Sequence, residues 1–231
     1  MKKNMMKDIF SDMMKGWKPL ELFWLTFASV AVLVLSLVLR DTPMGIVAAL
    51  TGIWCVILTG KGKTANFVFG IVNVILYAII ALQAKYYGEV MLNTLYYLPC
   101  SVLGLFVWSR HTADDTGDVV KETMSLKASL VTYPLTALAV FVYGFILQSL
   151  GGSLPYVDSA STVLSVVAQI LCLKRYAEQW IMWIIVDAVT VVMWAVNLGT
   201  PDGSVAMLLM WIVYLVNAII MYLNWRKDVK K

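Results

Sequence analysis

Charge is scarce in this 231-residue chain: 14% of its residues are Asp, Glu, Lys or Arg, against 61% hydrophobic. A soluble domain is about a quarter charged, and a short chain has too much surface for its volume to bury such an apolar excess in water. The surplus must face lipid. Histidine is nearly absent. His111 is the single one and lies in a polar loop, which argues against a His-dependent hydrolase or acyltransferase site within the membrane. The last apolar run has no lysine, excluding a retinal Schiff base there, and no Gly-x4-Gly-Lys-Ser/Thr loop offers ATP hydrolysis by that route. Cys55, Cys100 and Cys172 all fall inside apolar runs and read as packing groups, implying neither a disulfide framework nor a zinc site. About twenty residues of polar lead precede the first apolar run with no small-x-small site after it, so a cleavable leader is not indicated.

What is present is a series of apolar runs. A helix rises about 1.5 Å per residue and must cross roughly 30 Å of hydrocarbon. Spans are read at 22–39, 44–59, 65–83, 89–108, 129–149, 159–173, 180–197 and 204–224, with 44–59 and 159–173 short enough to stand nearly upright or continue into the interface. Stretches such as Ala28–Leu35, apolar except for Ser29, lack the alternation of an outer-membrane barrel strand. With eight spans, sixteen of the eighteen Lys/Arg fall on one side, leaving Arg40 and Lys85 on the other. Positive charge stays cytoplasmic. Both termini are therefore expected inside, in a multi-pass protein of the cell membrane. Met6, Ile9, Met13 and Trp17 recur at helical spacing among lysines, a pattern that fits a short helix on the anionic inner leaflet as well as a disordered basic tail.

The second to fourth spans resemble the sixth to eighth. A shift of 114 places Lys61 on Arg175, Asn66 on Trp180 and Asn73 on Asp187; a shift of 117 places Tyr97 on Tyr214 and Trp108 on Trp225. The span between the units restores parity, so the repeats run parallel, and substrate is expected between them near mid-membrane. The resulting division is a basic, interfacial or disordered segment at 1–20, an extra helix at 22–39, and a first repeat at 44–108. An acidic cytoplasmic linker at 109–128 carries Asp114, Asp115, Asp118 and Glu122. A linking helix at 129–149, a second repeat at 159–224 and a basic tail at 225–231 complete it.

Polar side chains at membrane depth are costly unless partnered. In the seventh span Glu178 is followed by Trp180, Trp183 and Asp187, the last three on one helical face at i, i+3, i+7. Two indoles near a carboxylate suit a flat, cationic or electron-poor ring bearing hydroxyls. The competing reading is an aromatic belt at the interface, against which stands the depth of Asp187. A second polar face comes from Asn66, Asn73 and Tyr77, then Asn93, Tyr97 and Ser101, whose amides and hydroxyls suit a carboxamide or sugar. Such groups also join helices at a gain of about 0.6 kcal/mol, the role given to Gln83, Gln148, Gln169, Asn217 and Asn224. Asp187 is the single acid deep within a span, whereas proton pumps commonly use chains of acids or histidines. Facilitated diffusion is the simplest mechanism, with proton coupling through Asp187 the alternative.

The stretch Gly70-Ile-Val-Asn73-Val-Ile-Leu-Tyr77, then Tyr87-Gly-Glu89, Leu92-Asn93-x-x-Tyr96 and Gly104-x3-Trp108, resembles the first half of the PnuC family of vitamin transporters. Lys174-x3-Glu178-x-Trp180-x2-Trp183-x2-Val186-Asp187 resembles its second-half signature. The resemblance runs from about residue 44 onward. It implies an all-α membrane fold in which two three-helix repeats flank a linking helix, 3+1+3 as in a SWEET sugar transporter, here with an extra N-terminal helix. It also implies uptake of nicotinamide riboside by facilitated diffusion, with a cytoplasmic kinase trapping the vitamin as a phosphate. The pyridinium would meet Trp180 and Trp183, and amides and Asp187 the carboxamide and ribose. No cofactor or metal is called for, and a homo-oligomer is allowed. The family commonly has Gln two residues after the proline of the fourth span, where this chain has Ser101 after Pro99; relatives carrying thiamine or riboflavin keep those substrates open. A receptor or interaction subunit that binds without translocating is a second class of function, and an intramembrane enzyme a third.

Overall fold

The structure, a computed structural model, describes residues 5–38, 40, 42–83, 90–113, 115–151, 155–196 and 205–229. Tyr87, Gly88 and Glu89 of the first-half motif, Asp114 of the linker, and Lys2, Lys3, Lys85, Lys230 and Lys231 lie outside those residues. Among the described residues regular structure is helical apart from isolated β-bridges, and the chain divides into two units, Met1–Val120 and Lys121–Lys231.

In the first unit α1 is Met5–Met13, α2 Pro19–Val38, α3 Pro43–Lys61, α4 Asn66–Gln83 and α5 Leu98–Ser109. Local chemistry sets the ends. Thr42 Oγ1 accepts from the Gly45 amide at 3.1 Å ahead of Pro43, a helix start that hides the missing proline N–H. Gly62, at φ 88°, closes α3 by donating to Leu58 and Thr59. A π-helical turn, Leu92–Tyr97, leads into α5, and the Leu98 amide reaches Asn93. Pro99 follows directly, and its ring and missing N–H disfavour a regular α-helical turn there. The α-helical stripe read for Asn93, Tyr97 and Ser101 is thereby broken: Asn93 and Ser101 are buried, whereas Tyr97 is half-buried.

These helices meet through small residues and aromatic rings. A Cβ at Gly104 of α5 would lie 2.2 Å from the Phe67 ring of α4, and one at Gly70 3.2 Å from Cys55 Sγ of α3. Phe67 also sets its ring edge against Trp108 at 5.1 Å. Trp54 stacks on Phe69 and donates from Nε1 to Ser29 Oγ of α2. Ile9 buries one face of α1 against Leu58 and Ala65, while Met6, Phe10 and Met14 stay exposed.

The second unit holds α6 Leu126–Ser149, α7 Pro155–Leu173, α8 Gln179–Val196 and α9 Val205–Val229. Ser159 of α7 donates to the Val140 carbonyl of α6 at 2.6 Å, and Tyr156 fills the space beside Gly144. The core joins Met124, Leu164, Ala168, Leu171, Met182 and Val186. Both short spans lengthen to 19 residues. The Thr42 cap adds to α3, and Pro155 opens α7 four residues earlier, with buried Ser159 paying its polarity to α6. At about 1.5 Å per residue each approaches the roughly 30 Å of hydrocarbon.

Five of the described helices, α2, α3, α4, α6 and α7, are long and apolar enough to cross a membrane. Side chains such as Phe23, Leu37, Leu138 and Phe141 are more than half exposed. Apolar surface on that scale belongs in lipid. This is a multi-pass membrane protein.

The α3–α4 and α7–α8 turns use the same bonds. Gly62 and Arg175 (φ 62°) are both left-handed. The Lys63 amide reaches the Leu58 carbonyl, and Tyr176 reaches Leu171. Asn66 Nδ2 returns to the Lys63 carbonyl and Gln179 Nε2 to that of Tyr176. Phe67 meets Trp108 edge-on as Trp180 meets Trp225. The register of these turns is 113. Gln179 therefore corresponds to Asn66 and Val74 to Asp187, one residue from the shift of 114 that paired Asn73 with Asp187.

Candidate functional site

Helix α8 carries the second-half motif. Trp180, in its first turn, is buried and packs edge-on to Trp225 at 5.9 Å, and its Nε1 has no hydrogen-bond partner among the described residues. A ring so covered is not an interfacial belt residue, whose polar edge would face headgroups. Trp183 lies one turn on, half-buried against the Met124–Leu164–Val186 core. Asp187 follows a further turn on at 5% exposure, and no hydrogen bond or ion pair reaches it among the described residues. An acid so placed attracts a cation or a hydroxyl donor.

Glu178 is differently employed. One carboxylate oxygen accepts from the Met124 amide at 3.0 Å, and the other lies 3.6 Å from Arg226. These contacts hold the start of α6 and the end of α9 to the turn before α8. A residue missed in the sequence sits beside it. Gln179 is fully buried, with its Nε2 on Tyr176 and its Oε1 unpartnered. Burial of a glutamine next to a recognised motif left no periodic signal, because it depends on the turn preceding α8.

In the first unit the predicted polar face divides. Asn66 is consumed by its own turn through the Lys63 carbonyl, and Asn73 Nδ2 ties α4 to the Ala48 carbonyl of α3 at 2.7 Å. Tyr77 is 42% exposed. Ser101 packs near Gly70, where a glycine Cβ would meet its hydroxyl at 3.7 Å. Asn93 is buried on the π-helical turn, and Tyr97 sets its ring against Tyr96 at 5.2 Å. π-helical turns recur at functional sites.

The acidic linker forms ion pairs within each unit. In the first, Asp118 lies 2.7 Å from Lys63 and 3.7 Å from Lys61, and Lys63 also donates to the Thr116 carbonyl at 2.6 Å. Burial pushes the Lys63 ammonium below its usual range, and Asp118 draws it back up. In the second unit Glu122 pairs with Arg175, and Lys121 pairs with Asp228 at 2.5 Å while lying over the Trp225 ring. Lys63 and Arg175, read in the sequence as markers of orientation, also anchor the linker.

The profile of a family described as Nicotinamide mononucleotide transporter matches residues 42–227. The chain is similar to the nicotinamide riboside transporter PnuC of Neisseria mucosa, 36% identical over 225 residues, covering 95% of this chain and 86% of that protein. The Haemophilus influenzae protein of the same name is 31% identical over 222 residues, covering 95% of each. Among solved structures, the crystal structure of the vitamin B3 transporter PnuC aligns with a TM-score of 0.81 at 36% identity, over 96% of this chain and 97% of that one.

Proposed function

Because the chain belongs to the nicotinamide mononucleotide transporter family, we propose that it takes up nicotinamide riboside by facilitated diffusion. The observation that carries this reading beyond membership is the α8 face, where Trp183 and a buried Asp187, without a partner among the described residues, lie one turn apart. The riboside offers that face a cationic pyridinium for the indole, worth about 0.5–2 kcal/mol, and hydroxyls for the carboxylate. Trp180 on α8 and, in the first unit, Tyr77, Asn93, Tyr97 and Ser101 are further proposed contacts, while Asn66, Asn73 and Glu178 hold their own turns and helices in place.

In this reading α2 to α9 supply eight spans: an extra first helix, a repeat at 44–108, a linking helix, and a second parallel repeat at 159–224. The basic loops and both termini face the cytoplasm, with the 1–20 segment at the inner leaflet and the basic 225–231 tail on the same side of the membrane. The membrane is the cell membrane. A cytoplasmic kinase traps the product as a phosphate, and the protein itself performs no catalysis.

The test is counterflow of labelled nicotinamide riboside in proteoliposomes, with thiamine and riboflavin as competitors. Saturable exchange blocked by nicotinamide riboside alone supports the substrate and the passive mechanism. Exchange blocked by thiamine or riboflavin keeps transport but moves the substrate, making Ser101 the first position to examine. Saturable binding without exchange would instead indicate a receptor.

A further inference from the structure

The first unit contains a cavity of about 340 Å³ lined by residues of that unit alone. It lies at the end of the helices that carries the basic turn, and its walls include Asp8, Asp12, Lys63, Thr64, Arg110 and Thr112. That volume falls within the range of small-molecule sites. The walls close by direct contact: Ile9 of α1 packs on Leu58 and Ala65, and Gly117 of the loop after α5 fits against Asp12, where a Cβ would come within 2.6 Å. Lys61 donates to the Gly16 carbonyl at 2.7 Å, holding the chain just after α1.

Some of the polar groups in these walls are already matched. Lys63 is paired with Asp118, and Asp12 with Lys15 at 2.6 Å. Others are not. Thr64 is 5% exposed and its Oγ1 has no hydrogen-bond partner among the described residues. Asp8 Oδ2 is likewise buried without one. Arg110 is exposed, and no ion pair among the described residues engages its guanidinium. Burying a hydroxyl and a carboxylate oxygen without partners is unfavourable, so the cavity has unmet demand of both signs: a carboxylate that needs a cation or N–H donor, and a guanidinium fit for a phosphate or carboxylate.

We propose that this cavity is a second binding site, for a small zwitterion bearing one anionic group and one cationic or N–H-rich group. Arg110 takes the anion, Asp8 the cationic end, and Thr64 a hydroxyl or carbonyl between them. The site is independent of the transport reading, because none of its groups belongs to the proposed transport contacts.

The test uses the full chain in detergent and isothermal titration with nicotinamide mononucleotide, which joins a pyridinium to a phosphate in one molecule. Nicotinamide riboside and ribose 5-phosphate serve as probes lacking one charge each. Saturable mononucleotide binding is expected, tighter than either half-probe in this cavity and weakened at least tenfold by Arg110→Gln and by Asp8→Asn. Thr64→Val should weaken it less, while raising the melting temperature of the unliganded protein by removing a buried unpaired hydroxyl. Counterflow by these variants in the absence of mononucleotide should match the unmodified chain. Absence of mononucleotide binding, or binding unaffected by both charge variants, would reduce the cavity to a water-filled space and overturn the proposal. Equal binding of ribose 5-phosphate would make it a simple anion site, and loss of binding in Trp183→Ala alone would assign the signal to α8. Titration reads binding without transport, so a failure of counterflow would sink the transport reading and leave this site standing.

Discussion

Replacing Asp187 with Asn should move stability and binding in opposite directions. The side chain is 5% exposed on α8 and no described residue pairs with it. Leaving a polar group buried and unpaired costs about 1–3 kcal/mol, and more when it is charged. Asn keeps the shape and removes the charge, so the unliganded protein should become more stable by about 1–2 kcal/mol. For a chain of this length that is a rise of roughly 2–8 °C in Tm. The riboside loses a hydrogen bond to a charged group, worth about 1.5–3 kcal/mol, so Kd should rise about 10- to 150-fold. Melting would be followed by intrinsic tryptophan fluorescence in detergent, and affinity by titration on the same preparation. An Asn variant that melts lower and binds equally well would show that the carboxylate is a structural partner, and the α8 face would lose its main support.

Other substitutions separate packing from recognition. Trp183→Ala should weaken riboside binding by about tenfold, from the 0.5–2 kcal/mol of one cation–π contact plus lost area; unchanged affinity in the same titration would remove Trp183 from the site. Asp118→Asn strands a Lys63 ammonium whose side chain is 1% exposed. It should cost about 2–4 kcal/mol, because Asp118 itself is partly solvated. Adding Lys63→Met should return the melt to within about 1 kcal/mol of the starting protein, and a double variant no better than the single would refute the stabilising role of the Lys63–Asp118 pair. Gly104→Ala drives a methyl into the Phe67 ring, where the Cβ would lie 2.2 Å away. It should destabilise by about 1–3 kcal/mol, with partial recovery by Phe67→Leu in the same melting assay.

Much of the architecture was legible because lipid imposes a simple rule. Backbone polar groups must be satisfied within each span, so long apolar runs had to be helices. Span limits at 65–83 and 180–197 lie within one residue of α4 and α8. The errors have local causes. The short readings of α3 and α7 stopped short of polar residues that the helices absorb, Lys61 and Asp158. The stripe through Asn93, Tyr97 and Ser101 assumed 3.6 residues per turn where Pro99 is preceded by a π-helical turn. The repeat was visible but displaced by one residue, since Lys61 and Arg175 look alike in charge although Gly62 and Arg175 share the backbone geometry.

By itself the sequence determined that this is a helical membrane protein and which residues share the α8 face, because hydrophobic periodicity and side-chain spacing are local properties. The resemblance it carries also pointed to the right family. Tertiary structure decided which of the polar residues are already occupied. Asn66, Asn73 and Glu178 spend their hydrogen bonds on a turn, a neighbouring helix and a backbone amide, whereas Asp187, Thr64 and Gln179 keep atoms to spare. Availability depends on partners distant along the chain, and no local pattern encodes those.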